Sequence, residues 1–436
     1  MSEMHATSSS EISVSTRTRV RAIVAGTLGN ILEWYDFSVY GFLVPSLSVV
    51  FFPKASHLAQ LMFTFGVFGV GFFMRPIGAV VIGAYGDRAG RRAALTLTVG
   101  LMGVSTLAIG LLPTYETAGI WAPILLTVVR LAQGFSAGGE WGGAAAFLVE
   151  YAPEGRRGYV GSWQQFSVGA GLHLGSAFAT LLAGVLGQEA LIAWGWRIPF
   201  ICGIAIAGFA AYFRMRLPDT PQFEAIEKQH AVSTRPLRDL FTTHRGALIT
   251  QFGITIHNTV SYYITLAYMP TWLTSVVKMP QSKALLVSTI GLVVLVCATP
   301  LIGALSDRIG RKPLLITSCI GFIILCYPLY WMASTAVFGT VLAVQIVLVL
   351  LTATYSACVP ATYAELFPTR VRYSGLSVGY NSAVLVFGGF APFIATWLVS
   401  VTGSSLSPTF YVIGCAIITL IFVLRMRETA FTPLRD

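Results

Sequence analysis

The loops GAYGDRAGRR (83–92) and GALSDRIGRK (303–312) follow one pattern, G-x-x-x-D-R-x-G-R-[RK], in the two halves of a 436-residue chain. A second pair repeats in the same order. EYAPEGRRGYVGS (150–162) and ELFPTRVRYSGLS (365–377) align Glu150, Pro153, Arg157 and Ser162 with Glu365, Pro368, Arg372 and Ser377. Two different motifs recurring in register mark an internal duplication. Both follow long apolar runs, so the duplicated unit is a set of membrane-length segments.

Composition agrees. The chain is 55% hydrophobic and 11% charged, against about 25% charged in soluble domains. That much apolar surface calls for a bilayer as its solvent. A span needs about 20 residues at 1.5 Å each. Spans are expected near 22–52, 58–85, 93–113, 119–150, 159–186, 191–214, 247–275, 283–305, 313–334, 337–366, 375–401 and 408–425. The expected fold is an all-α polytopic membrane protein, with twelve transmembrane helices in two pseudo-symmetric six-helix bundles. The expected division is a disordered N-terminal tail (1–20), an N-terminal bundle (21–214), a linker (215–246), a C-terminal bundle (247–425) and a C-terminal tail (426–436).

The cations set orientation. If the spans alternate, about 22 Lys and Arg fall on one side and Lys54, Lys278 and Lys283 on the other, which makes the basic side cytoplasmic. Both termini and the linker then lie inside. The net charge of +10 belongs to these loops, and no nucleic-acid partner is expected. The six cysteines form no CxxC pair and lie in or beside apolar runs, so they are expected to be buried and unpaired. No HExxH, GxSxG or P-loop pattern is present. No enzyme activity, metal or cofactor is expected.

The stretch GNILEWYDFSVYGF (29–42) places Glu33 and Asp36 in the first span. Counted from Arg21, they sit about 18 and 22 Å in, near mid-bilayer. A carboxylate there must be protonated, paired or in a wet cavity. Burial opposes its charged form and a neighbouring cation favours it, a balance suited to a proton-coupling group. The alternative is a permanent structural ion pair. Arg130, about 16 Å into the fourth span, is the expected partner, with Gln133 on the same side. Glu140 lies further along as a second proton site or a gate charge. Arg75 is a further cation inside a span, either a substrate ligand or a partner for Glu33 or Asp36. Arg197, next to Trp194 and Trp196, reads as an interfacial anchor.

Tyr40 shares a helix face with Glu33. Trp34, with Tyr35, can form part of a cage for a quaternary amine through cation–π attraction. In the seventh span, His257, Asn258, Ser261, Tyr262 and Thr265 form a polar run, and Tyr262 or Tyr263 can stack on a ligand. His257 and His173 can titrate near neutral pH, or be packed core residues.

At these motifs the chain resembles the major facilitator superfamily. The repeated loops are similar to its signature between the second and third helices and between the eighth and ninth, and RLAQGFSAGGEWGG (130–143) is similar to its fourth-helix motif. GNILEWYDF, MRPIGAVVIGAYGDRAGRR, QGFSAGGE and WGWRIPF (194–200) resemble the metabolite–proton symporter family, which includes carriers of organic acids and of proline and betaine. The resemblance implies alternating access. It assigns proton coupling to Asp36, Glu33, Arg130 and Glu140. Asp36 is favoured for the proton and Glu33 for a supporting ion pair. Substrate contacts fall to Arg75, Arg130, Gln133, Tyr40, Trp34, Asn258, Tyr262 and His257. Asp87, Arg88, Arg91 and Arg92, and Asp307, Arg308 and Arg311, are expected to hold one access state, with Asp87 and Asp307 capping helices three and nine. Glu150–Arg157 and Glu365–Arg372 are expected as matched latches.

The function expected is a monomeric symporter of the inner (cytoplasmic) membrane. It takes up a small carboxylate-bearing metabolite, a di- or tricarboxylate or similar organic acid, together with a proton. The alternative is a zwitterion of the proline or betaine type.

Overall fold

The computed structural model describes residues 16–89, 91–138, 140–150, 152–215 and 240–434. They form twelve helical passes, here α1 to α12. The first bundle comprises α1 (Thr16–Phe51), α2 (His57–Ala89), α3 (Arg91–Leu111), α4a (Trp121–Ala137) with α4b (Glu140–Glu150), α5 (Arg157–Ala190) and α6 (Arg197–Met215). The second comprises α7 (Arg245–Tyr262, continuing as wider turns to Val276), α8 (Gln281–Ile309), α9 (Arg311–Ala333), α10a (Phe338–Ser356) with α10b (Val359–Leu366), α11a (Thr369–Ala383) with α11b (Ala391–Thr402), and α12 (Ser407–Arg425).

Among the described residues, seven passes are long and apolar enough to span a bilayer on composition alone. α1 carries Asn30, Glu33 and Asp36 on buried positions. The outer flanks present apolar side chains such as Val185 and Leu301, each more than 70% exposed, as a lipid-facing surface requires. The polar residues turn inward instead.

The halves meet along α5 and α8 and along α1, α2, α7 and α11. At one end, Ser176 and Thr180 of α5 share hydrogen bonds with Thr289 of α8 (2.6 and 2.8 Å). At the other, the basic loops interlock. The halves are therefore joined toward both ends.

Three expectations shift. The first helix begins at Thr16, inside the expected tail. The linker expected at 215–246 lies largely outside the described residues (216–239). The cysteines are all unpaired, but Cys297 is exposed and Cys202 half-buried, because an apolar run says nothing about which flank meets lipid.

Candidate functional site

Glu33 of α1 and Arg75 of α2 form the ion pair at the centre of the first bundle, Oε1 to Nη2 at 3.3 Å, both almost wholly buried. Arg75 also lies over the rings of Phe72, Phe37 and Trp34, at 4.6, 4.7 and 5.7 Å. Its Nε and Nη1 have no hydrogen-bond partner. Close packing of α2 on α4 holds this arginine in place. A Cβ on Gly138 would strike the Arg75 backbone, and one on Gly134 would strike that of Gly71. Small residues let these helices approach and fix their inward side chains.

Arg130 does not take the expected direct partner. Its Nη1 donates to Gln133 Oε1 (2.7 Å), and Gln133 Nε2 donates to Thr106 Oγ1 (2.8 Å). The side chains of Thr106 and Asp36 both lie against Gly203 of α6, which brings the Arg130–Gln133–Thr106 chain up beside Asp36. The Arg130 guanidinium is fully buried among Tyr40 (4.5 Å), Phe37 (4.7 Å) and Phe68 (5.2 Å). Those rings hold it too far across the bundle for direct contact. Tyr40 is an anchor here, not a cavity wall, since its hydroxyl donates to Thr64 O (2.9 Å).

Two cavities flank α1. The first, a small space within the N-terminal half, is lined by Glu33, Asp36, Glu140, Thr98 and Met102, with Gly203 and Ala207 of α6. It brings together three of the expected proton-coupling residues. The second, a narrow space, lies between the halves and is lined by Trp34, Phe37, Ser38 and Phe68 on one side and Tyr262, Tyr263, Leu266 and Ala267 on the other. Trp34 meets the Tyr262 and Tyr263 rings at 6.5 Å each. α7 opens into a π-turn at Tyr263–Tyr268. Such a turn adds a residue locally, so two successive tyrosines reach the same cavity.

Phe37, Phe68 and Phe72 were not singled out from the sequence. Phe65, Phe68 and Phe72 are spaced three and four apart on α2, and that one-faced stripe was the available signal.

His257 does not reach either cavity. It is buried in the second bundle, edge-on to Phe322 (4.9 Å) and Tyr355 (5.1 Å), and its backbone N–H donates to Thr419 Oγ1 (3.0 Å). Its turn of helix points into the bundle, away from the interface. Asn258 is buried with no partner on Oδ1 and lines neither cavity. Arg197 caps a helix end, donating to Gly110 O and Leu112 O at the close of α3 (2.8 and 2.6 Å).

The basic loops close one end by exchange between halves. Arg157 pairs with Glu365 (3.2 Å) and Arg372 with Glu150 (2.7 Å). The expected pairs within each motif, Glu150–Arg157 and Glu365–Arg372, are replaced by these crossed ones. Equivalent residues in a duplicated pair face each other across the pseudo-axis, so each finds its opposite in the other half. Arg311 joins the group through Asp307 (2.9 Å) and Glu365 (3.3 Å), while Arg308 is exposed.

Asp307 does not cap α9. It sits in the last turn of α8, and its carboxylate accepts from Gly158 N and Tyr159 N (2.7 and 2.8 Å), capping α5 of the other half. Glu428 caps α9 instead, accepting from Arg311 N and Lys312 N (both 2.9 Å). The side chains of Asp87, Arg88, Arg91 and Arg92 lie outside the described residues.

Two six-helix bundles, closed by crossed ion pairs around a buried polar centre, define a membrane carrier of the major facilitator type. Sequence and structure comparison places it more narrowly. The sugar (and other) transporter model matches residues 22–242 and again 223–436, and the chain belongs to that family. It is 37% identical over 424 residues to the glycine betaine/proline/ectoine/pipecolic acid transporter of Dickeya dadantii, covering 95% of this chain and 84% of that one. It is 36% identical to the proline/betaine transporter of Escherichia coli K12 (95% and 85%) and 37% identical to the citrate-proton symporter of Klebsiella pneumoniae (92% and 90%). The proton:xylose symporter XylE bound to 6-bromo-6-deoxy-D-glucose superposes with a TM-score of 0.77 at 20% identity, covering 97% and 98% of the two chains. Likeness at that identity is a likeness of fold.

Proposed function

We propose that this protein is a proton-coupled symporter of the bacterial inner membrane, with both termini cytoplasmic, that imports a small zwitterion of the proline or betaine type. The observation that carries the substrate class is the cavity between the halves. Its walls are ring faces and aliphatic carbons of Trp34, Phe37, Phe68, Tyr262, Tyr263 and Leu266. Ring faces attract a desolvated ammonium. A tricarboxylate in the same space would bring several charges to walls with no cation to match them. The similarity to proline and betaine carriers supports the same class. The organic-acid reading keeps one support, the similarity to a citrate-proton symporter.

Charge balance links the solute to the proton. Glu33, Asp36, Arg75 and Arg130 are all buried and sum to zero when both carboxylates are ionised. A proton on Asp36 leaves one positive charge uncompensated, which is the match for one substrate carboxylate. Protonation also turns an oxygen of Asp36 from acceptor into donor. The Arg130–Gln133–Thr106 chain ends beside that carboxyl. Arg75 and Arg130 each keep two guanidinium nitrogens unpaired behind the Phe37 ring, and Arg75 is the one assigned here to the solute carboxylate. Glu33 yields it as the solute arrives.

The test is uptake into proteoliposomes of labelled glycine betaine, proline and citrate, with and without an inward proton gradient. Gradient-driven accumulation of glycine betaine or proline is expected. Accumulation of citrate alone would move the chain to the organic-acid class, and uptake indifferent to the gradient would remove proton coupling.

A further inference from the structure

Trp34, Phe37 and Phe68 line the first half's side of the cavity between the halves. Behind that wall lie two cations. The Arg75 guanidinium carbon sits 5.7 Å from the Trp34 ring centre and 4.7 Å from that of Phe37. That of Arg130 sits 4.7 Å from Phe37 and 5.2 Å from Phe68. Among the described residues, Phe37 is the cavity-lining ring that both guanidiniums share. It is buried, and neither arginine lines the cavity itself.

The order of residues on α1 explains this placement. Glu33 and Asp36 line the acid-bearing space inside the first bundle. Trp34 and Phe37, one residue on from each, line the space between the halves, because successive residues of a helix do not share a face. Phe37 therefore stands on the border between the charged centre and the solute cavity. Phe72 and Phe68 of α2 hold its ring from the side, centroids 5.6 and 6.3 Å away.

A ring face attracts a cation, but it gives a guanidinium N–H no lone pair to meet. Arg75 Nε and Nη1 and Arg130 Nε and Nη2 are buried without an acceptor, which is a costly state. A carboxylate is the acceptor that suits a guanidinium, through two parallel hydrogen bonds. A ring already facing two cations is also a poor seat for a third. The ammonium of a zwitterion then belongs against Tyr262 and Tyr263 on the opposite wall, with its carboxylate end toward Phe37.

We propose that Phe37 is a screen between the solute cavity and the two guanidiniums, and that its ring turns aside to let the solute carboxylate reach Arg75 while the ammonium rests on Tyr262 and Tyr263. Phe37 is a positioning residue. It sets the order in which the two ends of the solute engage, ammonium first and carboxylate second. An anion with no ammonium has nothing to hold it in the cavity while the ring turns. That the arriving anion is a solute carboxylate rests on the transport reading above; that Phe37 covers the guanidiniums does not.

The experiment uses the full chain in membrane vesicles treated with phenylglyoxal, which reacts with guanidinium groups, and reads each arginine by peptide mass spectrometry. Phe37→Ala is expected to raise modification of Arg75 and Arg130 about tenfold, the scale of losing one ring contact per cation. Phe37→Tyr, which keeps the ring, should match the parent. Phe37→Leu, which keeps bulk without a flat face, should fall between, and its comparison with Phe37→Tyr decides the matter if the Ala variant does not fold. Arg311, buried as deeply in the latch, should not change in any of them. Acetate, a carboxylate with no ammonium, should slow modification of Arg75 in Phe37→Ala and not in the parent. Unchanged modification of Arg75 in the Ala and Leu variants would overturn the proposal. So would a matching rise at Arg311, which reports general loosening, or equal protection by acetate in the parent. Labelled glycine betaine uptake in the same vesicles reads the transport function separately. A screen that behaves as expected in a chain that takes up no solute would keep the screen and remove the solute assigned to it.

Discussion

At the latch the N-terminal half offers Glu150 and Arg157, the C-terminal half Glu365 and Arg372, and each glutamate takes the other half's arginine. A few turns deeper the likeness ends. The first bundle buries Glu33, Asp36, Arg75 and Arg130. The second has no Asp, Glu, Lys or Arg in 246–277, 284–306, 313–364 or 373–424. The duplicated parts stay alike where both halves perform the same closing task. They diverge where one half handles charge and the other supplies an uncharged wall of tyrosines. Rocking the second bundle past the first then moves no second set of ions through lipid, where each would be costly.

The sharpest way to break this contrast is to remove charge from the first bundle. Arg75→Met leaves Glu33 buried without its ion-pair partner. Loss of uptake is expected, with destabilisation of about 3–5 kcal/mol, the usual cost of halving a buried pair. Glu33→Gln with Arg75→Met should recover most of the thermal stability in detergent, yet not the uptake. Recovered transport in the double variant would make the pair a strut.

The latch tests the symmetric part. Glu150→Arg and Arg372→Glu should each slow uptake, and their combination should restore it, with a coupling of about 1–3 kcal/mol in a double-mutant stability cycle. Simple additivity would show that the crossed pairing does not hold the end closed.

A smaller effect is expected at the tail. Burial alone would raise the Glu428 carboxyl, but the backbone N–H groups of Ala430, Arg311, Lys312 and Thr429 outweigh it and hold it below its ordinary value. A depressed folded value stabilises fully above the unfolded carboxylate value. The contribution is lost as pH falls through the lower folded one. Glu428→Gln should therefore lower the melting temperature slightly at neutral pH and not at strongly acidic pH. A deficit equal at both would assign the effect to shape, not charge.

The smallest effect is expected in the uncharged half. His257→Phe replaces one ring with another between Phe322 and Tyr355, and uptake should stay within about twofold. A lost proton dependence would place titration in the second bundle and break the contrast.

The helix count and the twofold build were legible because apolar runs of bilayer length, and two motifs repeated in order, survive without any knowledge of packing. The carboxylates of α1 were legible because charge inside a span is costly. Their partners were not. Arg75 and Arg130 both reach mid-depth, and helix rotation alone sends one to Glu33 and the other to Gln133. Alignment of Glu150 with Glu365 shows that they are equivalent, and equivalence does not say which arginine each one meets. The wide turn at Tyr263–Tyr268 shifts the face of α7 by a residue, which no regular helical count anticipates. A polar residue such as His257 in an apolar run signals either function or a satisfied core position, and only packing separates them.

The central claim is that Asp36 carries the proton that accompanies the solute. It is tested most directly by recording external pH when glycine betaine is added to proteoliposomes at zero membrane potential. Wild-type protein should make the outside alkaline as solute enters, and Asp36→Asn should abolish that signal while still exchanging labelled for unlabelled solute. An undiminished proton signal in Asp36→Asn would contradict the account.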